Sequence, residues 1–121
     1  MARSADSSSH LDLQMHGGVA VATVVTPEIR HPAPAQELGA ELSALVDRDR
    51  LTRIVLDLSP VRYLSSTGFA ALLGFAKKVG AAQGQLKIAG MQPDVQVGAN
   101  IIGLGRLVEI YPDVASALDS F

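Results

Sequence analysis

The chain has 121 residues, of which 48 % are hydrophobic and 4 % are aromatic, and its formal net charge at pH 7 is −2. This length suits one domain with an aliphatic core, and the hydrophobic content excludes a chain that is disordered throughout. The absence of cysteine excludes disulfides and zinc–thiolate sites, and the absence of a basic stripe argues against nucleic-acid or membrane-surface binding.

The beginning of the chain predicts a tail outside the folded domain. Residues 1–9 lack the apolar middle of a secretory signal, and no apolar run approaches the roughly 18 residues that a membrane-spanning helix needs. We therefore expect a disordered tail at 1–9, a folded domain at 10–121 and a cytoplasmic location. Charged residues make up only 18 % of the chain, which favours an apolar surface patch for a partner.

The first predicted elements form a hairpin. Alternating apolar and polar residues predict a strand at Leu11–Met15, and a run of β-branched residues predicts a second strand at Val19–Thr26. The turn His16–Gly18 joins the two strands. The segment Pro27–Pro34 contains three prolines, and we expect no regular structure there.

The middle of the chain predicts a helix followed by a central strand. Leu38, Leu42 and Leu45 recur at helical spacing, which predicts an amphipathic helix at Ala35–Arg48. The continuous apolar run within Arg53–Leu58 predicts a strand that is covered on both faces.

Helices and strands continue to alternate through the second half of the chain. The predicted elements are a helix from Ser66 or Thr67 to Val79 with Gly80 as its C-cap, a strand at Gln85–Ala89, a helix at Pro93–Ile102, a strand at Val108–Tyr111 and a helix at Pro112–Leu118. This order predicts a single-domain α/β fold with a mostly parallel sheet, right-handed crossovers and an antiparallel edge formed by the hairpin.

A cluster of hydroxyl groups marks the start of the second predicted helix. Ser65, Ser66 and Thr67 are consecutive, and capping a helix needs only one of them. Phosphorylation at this position would add about two negative charges near neutral pH and would interact favourably with the helix dipole. The residues alone leave two interpretations open, a simple N-cap and a phosphorylation site.

One face of the same helix is a candidate partner surface. At 100° per residue, Gly68, Ala71 and Phe75 fall on a strip beside the core-facing stripe. Phe75 either packs against the neighbouring helix or belongs to an apolar strip that receives a partner. We expect Gly68, Ala71 and Phe75 to contact the partner.

Enzymatic and ligand-binding alternatives have little support in the residues. The chain has no Gly-x-Ser-x-Gly elbow, and His10, His16 and His31 all precede the first predicted helix, although His31 could approach Ser66. We expect His10 and His16 to be solvated rather than metal ligands. We expect no catalytic residue, no metal and no cofactor; a small anionic or nucleotide ligand at the helix start remains an alternative.

Several motifs together resemble the STAS domains, the family of anti-sigma factor antagonists. The segment Asp57–Gly68 resembles the family signature of a strand that ends in Asp-Leu-Ser and leads to a hydroxyl-rich helix start. Lys77–Gly80 followed by Gly84–Ile88 is similar to the family's helix-to-strand turn, and Leu104–Ile110 resembles the family's Leu-x-x-Leu-x-x-Ile ending before the last helix. Two features depart from the family pattern: Ser65 stands where many members have Asp, and Pro27–Pro34 lacks a Gly-x-Leu-Asp pattern.

The resemblance implies both a fold and a function. The fold is a mixed sheet of about five strands with four helices packed mainly on one side. The function is to bind an anti-sigma factor of the serine-kinase type and free the sigma factor, with Ser66 as the phospho-acceptor and a phosphatase that resets it. Ser65 and Thr67 would support Ser66 by capping or as secondary sites, and the chain would be a monomer or weak dimer. The alternative is a STAS subunit of a transporter or stress-sensing complex that is never phosphorylated.

Overall fold

A computed structural model describes residues 10–121, and the predicted tail at 1–9 lies outside the described residues. The strands are β1 (Leu11–His16), β2 (Val19–Val24), β3 (Glu28–Ile29), β4 (Arg53–Asp57), β5 (Tyr63–Leu64), β6 (Gln85–Ala89) and β7 (Glu109–Tyr111). The helices are α1 (Pro32–Asp47), α2 (Ser66–Ala81), α3 (Pro93–Ile102) and α4 (Val114–Asp119), and a short 3₁₀ turn covers Leu104–Arg106.

Five strands form one mixed sheet in the order β1-β2-β4-β6-β7. The first two strands pair antiparallel across a turn in which Gly17 has a φ of 62°, a left-handed conformation that suits glycine. All other neighbours in this sheet pair parallel. The predicted α/β class, the mixed sheet and its antiparallel edge are therefore confirmed.

The helices divide unequally between the two faces of the sheet. One face, with Ile54 and Leu56 of β4, packs in a single apolar core with residues of α1, α2 and α3. On the opposite face, Val55 and Ala89 pack with Ala117 of α4. The central strand is thus covered on both faces, as predicted. No helix within residues 10–121 combines the length and the apolar character that a membrane crossing requires.

A buried lysine holds α4 against its face of the sheet. Lys87 is 6 % exposed, and its Nζ donates to the carbonyl oxygen of Ser120 at 3.0 Å and to the Ser120 hydroxyl at 2.6 Å. The same ammonium lies 3.2 Å from a Glu109 carboxylate oxygen and 4.4 Å from the ring centroid of Phe121. These contacts compensate the desolvated charge.

The segment Pro27–Pro34 contains regular structure, contrary to prediction. It includes β3, and α1 begins at Pro32 rather than at Ala35. Pro32 and Pro34 occupy the first turn of α1, where the backbone N–H groups have no partner within the helix, so proline removes no hydrogen bond there.

The ends of two other helices also differ from prediction. The second helix continues through Gly80 to Ala81 and has Ala82 as its C-cap, because Gln83 adopts the left-handed conformation that Gly80 was expected to supply. The last helix begins at Val114 instead of Pro112. Its N-cap is Asp113, whose carboxylate accepts a hydrogen bond from the Ser116 N–H at 2.8 Å.

Candidate functional site

A small parallel pair of strands fixes the start of α2. Strands β3 and β5 pair Glu28 with Tyr63 and Ile29 with Leu64. Ile29 is fully buried and Leu64 is 7 % exposed, so both anchor this pair in the core. The Ser65 N–H extends the pairing by donating to the Ile29 carbonyl oxygen at 2.9 Å. The starts of α1 and α2 are therefore adjacent.

The loop between β4 and β5 is closed by local hydrogen bonds. The Asp57 carboxylate accepts from the Ser59 N–H at 3.0 Å, and the Val61 N–H donates to the Leu58 carbonyl at 2.9 Å. The Gln92 side chain, at the start of α3, donates to the Ser59 carbonyl at 2.8 Å. These bonds account for the Asp-Leu-Ser motif: it turns the chain from the central strand toward the start of α2.

The three consecutive hydroxyl residues have different environments. Ser65 is the N-cap of α2, and its Oγ accepts from the Gly68 N–H at 3.2 Å. Ser66 is the first residue of the helix and is exposed, as is Thr67. Within the described part of the chain, neither of these two hydroxyls has a hydrogen-bond partner. Capping therefore occupies Ser65 and leaves the Ser66 hydroxyl accessible.

The predicted partner strip is not an exposed surface. Phe75 is 2 % exposed and belongs to the main core, and Gly68 is buried. A Cβ at Gly68 would lie 2.9 Å from the Leu64 Cγ. Ala71 faces α1, where a Cβ added at Gly39 would contact the Ala71 Cβ at 3.5 Å. The prediction that Gly68 and Phe75 lie on an exposed partner surface is wrong, because α1 and β5 cover this side of α2, and Ala71 is half-buried there.

Charged side chains surround the exposed face of β3 and β5. Arg30 Nε donates to the Glu28 carboxylate at 2.8 Å, and a terminal nitrogen of Arg62 donates to its other oxygen at 3.3 Å. The Arg30 guanidinium also lies 4.4 Å from the ring centroid of Tyr63. The hydrogen bond and charge of Arg30, followed by the charge of Arg62, lower the pKa of Glu28. This cluster holds two guanidinium groups and one carboxylate.

An open groove of about 460 Å³ lies between β5, the first turn of α2 and α3. We call it the α3 groove. Its lining includes Arg62, Tyr63, Phe69, Val97, Gly98 and Ile101. A Cβ at Gly98 would lie 2.6 Å from the Phe69 Cζ, so the glycine allows α3 to approach α2 closely at the floor of the groove.

Three of the exposed side chains that line the α3 groove are largely apolar, and Arg62 and Asp94 are the charged ones. Ile101 is 79 % exposed, Val97 is 58 % exposed and Tyr63 is 43 % exposed. Sequence reasoning missed these residues, although a signal was present. Val95 and Ala99 form the buried stripe of α3, and Val97 and Ile101 form a second apolar pair at the same spacing, where a surface helix normally carries polar residues.

The histidines do not converge on the hydroxyl cluster as a catalytic group. His31 is exposed at the N-cap of α1, two residues beyond the Ile29 carbonyl that Ser65 contacts. His10 is 8 % exposed and not solvated as expected: its ring nitrogens lie 2.6 Å from the Thr26 hydroxyl and 3.0 Å from the Glu37 carboxylate. Across residues 10–121, no cluster of three or more His, Asp or Glu side chains could hold a metal ion.

The fold and this hydroxyl-bearing helix start define a small α/β domain of the STAS type. The family model of the STAS domain matches residues 13–117, and the chain belongs to this family. The predicted family resemblance is therefore confirmed.

Sequence and structure comparisons find similar proteins in bacteria. The chain is 38 % identical over 80 residues to BtrV of Bordetella bronchiseptica, and the match spans 66 % of each chain. BtrV is named as a proposed anti-sigma factor antagonist. A solved anti-sigma factor antagonist from Mycobacterium paratuberculosis is 28 % identical, with a TM-score of 0.71 over 94 % of this chain and 97 % of the other. The phosphorylated form of the Bacillus cell fate determinant SpoIIAA has a TM-score of 0.69 over 91 % of this chain and 97 % of its own. At 19 % identity, that likeness shows the fold alone.

Proposed function

We propose that this STAS protein is an anti-sigma factor antagonist that phosphorylation of Ser66 switches off. In this function it binds an anti-sigma factor of the serine-kinase type in the cytoplasm and thereby releases the sigma factor. The names of the relatives support the antagonist role. The observation that carries the switch is the exposure of the Ser66 hydroxyl at the first position of α2, beside an N-cap that Ser65 already provides.

The position of Ser66 explains how one phosphate could control binding. A phosphoserine at the first residue of a helix is favoured by the helix dipole, so the modified domain keeps its fold. The same phosphate adds about two negative charges next to the apolar α3 groove. A partner whose apolar surface covers this region would have to bury that charge, which is strongly unfavourable.

In this proposal the partners carry out the phosphoryl transfer and its reversal. The kinase partner transfers the phosphoryl group to the Ser66 hydroxyl, and a phosphatase removes it and restores binding. The chain itself acts as a binding module and substrate, and needs no catalytic residue or cofactor of its own for this role.

A reconstitution with defined partners tests the proposal. The serine-kinase anti-sigma factors of the source organism are purified one at a time and mixed with the protein and Mg-ATP, and tandem mass spectrometry locates the phosphate. We expect one of them to bind the unmodified protein and to phosphorylate Ser66. Ser66→Ala should bind and remain unmodified, Ser66→Asp should bind weakly, and Thr67→Ala should behave as wild type.

Two results would contradict the proposal. Phosphorylation of Thr67 without phosphorylation of Ser66 would show that Thr67 is the phospho-acceptor. Equal binding by Ser66→Ala and Ser66→Asp would show that charge at this position does not control binding. The protein would then form a permanent interface, as in an interaction subunit of a larger complex.

A further inference from the structure

We infer that the α3 groove, together with the exposed face of α3, is the surface on which the kinase-type partner docks. We infer further that the partner contributes an apolar ridge with an acidic side chain at one end. This inference rests on the proposed function and specifies the contact that the function requires.

The apolar component comes from the outer face of α3. Val97 and Ile101 are one helical turn apart and strongly exposed, and Asp94 is the only charged residue among the ten residues of α3. The polar side chains beside them are engaged with each other, because the Gln96 amide donates to the Asn100 side-chain oxygen at 3.1 Å. An exposed apolar face with so little charge is characteristic of a binding surface.

The acidic component follows from the charges on the β5 side of the groove. Arg62 and Arg30 share the single carboxylate of Glu28, which leaves one positive charge uncompensated there. Arg62 is the more weakly held of the two, with a contact of 3.3 Å against 2.8 Å for Arg30. Asp94 lies on the opposite wall, in the first turn of α3, where the helix dipole already stabilises its charge. A carboxylate of the partner would complement Arg62.

The location of Ser66 connects this surface to the switch. Ser66 lies between Leu64 and Phe69, two residues that line the groove. A phosphate on Ser66 would therefore appear on the α2 side of the groove, beyond the end of β5 that is opposite Arg62. Its negative charge would repel the acidic side chain of the partner and would have to be buried beneath the partner's apolar ridge.

Binding measurements with the purified kinase-type anti-sigma factor test the inference. Isothermal titration calorimetry is performed with Val97→Ser, Ile101→Ser and Arg62→Glu. Met15→Ser is the matched control, because Met15 is an exposed apolar residue, 56 % accessible, at the opposite edge of the sheet. We expect each of the first three changes to raise the Kd about tenfold or more and the control to leave it unchanged.

Hydrogen–deuterium exchange locates the docking surface in the wild-type protein, without any substitution. On complex formation, the amides of α3 should become protected and those of α4 should not. Wild-type affinity of all three groove variants, together with loss of binding by Ser66→Asp, would overturn the inference and leave the proposed function standing. Failure of every serine-kinase anti-sigma factor to bind the wild-type protein would overturn both.

Discussion

The backbone N–H of Ser65 donates to the carbonyl oxygen of Ile29 at 2.9 Å, and this bond joins the start of α2 to the segment that leads into α1. The position of the Ser66 hydroxyl is therefore set by core residues of two separate segments and not by a free loop. A rigidly held Ser66 suits the proposed switch, in which one added group must meet a bound partner.

Ser65 and Ser66 should differ in what they contribute to stability. Ser65→Ala removes the N-cap hydrogen bond to Gly68 and should lower the free energy of unfolding by about 1 kcal/mol. Ser66→Ala removes an exposed hydroxyl and should change it by less than about 0.5 kcal/mol. Urea unfolding of the two variants measures both values. An equal loss in both variants would contradict the assignment of the cap to Ser65.

Two glycines of α2 should respond in opposite directions to the same substitution. Gly68→Ala forces a Cβ against the Leu64 side chain and should destabilise the protein by roughly 1–3 kcal/mol. Gly74 is exposed on the same helix, and a Cβ there meets nothing within 4 Å. Gly74→Ala should therefore stabilise the protein by roughly 0.5–1 kcal/mol. Thermal denaturation distinguishes them; two shifts of the same sign would be inconsistent with this packing.

The corrected position of Phe75 leads to a further prediction. Phe75→Ala leaves a cavity in the main core and should reduce the free energy of unfolding by roughly 3–5 kcal/mol. The exposed control Val97→Ala should reduce it by less than about 0.5 kcal/mol. Chemical denaturation of both variants makes the comparison, and a Phe75 variant as stable as wild type would restore the surface role first predicted for it.

Stability should decrease in acid through three exposed carboxylates. Hydrogen bonds from Arg30 to Glu28, from Tyr111 to Glu109 and from the Ser116 backbone to Asp113 lower the pKa of each carboxyl group. A lowered folded-state pKa stabilises the protein above the ordinary values, 4.5 for Glu and 3.8 for Asp, and this contribution is lost as the pH falls through the folded values.

Urea midpoints measured from neutral pH down to about pH 3 reveal this loss. The variant Glu28→Gln should show a shallower decline than wild type over the acidic range. The change Asp12→Asn, at an exposed position on β1, is the control. An unchanged slope for Glu28→Gln would show that its contacts with the arginines do not persist in solution.

Lys87 should prove necessary for the attachment of α4. Lys87→Ala removes charge-assisted hydrogen bonds to Ser120 and should lower the free energy of unfolding by roughly 1.5–3 kcal/mol, with faster amide exchange in α4. Lys77→Ala, on the exposed side of α2, should alter neither quantity. Undisturbed exchange in α4 of the Lys87 variant would mean that its apolar contacts suffice.

Local patterns predicted most of the architecture. The apolar run of β4, the helical spacing in α1 and the proline at the first position of α3 each depend on neighbours a few residues apart, which the sequence displays directly. The hairpin and the parallel order followed from the same signals. The two-residue strands β3 and β5 could not be predicted in this way, because each exists only through its pairing with the other across more than thirty residues.

The candidate site was predicted less completely for the same reason. The hydroxyl cluster is local and was identified from the sequence, whereas the covering of Phe75 by α1 and the burial of His10 beside Glu37 depend on distant parts of the chain. Helical angles show which residues share a side of α2, but not that a second helix occupies that side. The exposed pair on α3 had a visible pattern, and only its position in one groove with Leu64 and Phe69 required the fold.

Two helices that pack closely at Gly98, α2 and α3, carry the two proposed roles of this site. The proposed phospho-acceptor, Ser66, lies on α2, and the residues inferred to contact the partner lie on α3. After gene duplication, substitutions at Val97 and Ile101 alone could redirect a copy to a new partner while its acceptor remained intact. Two duplicated antagonists in one cell could thus come to bind different partners without binding each other's partner.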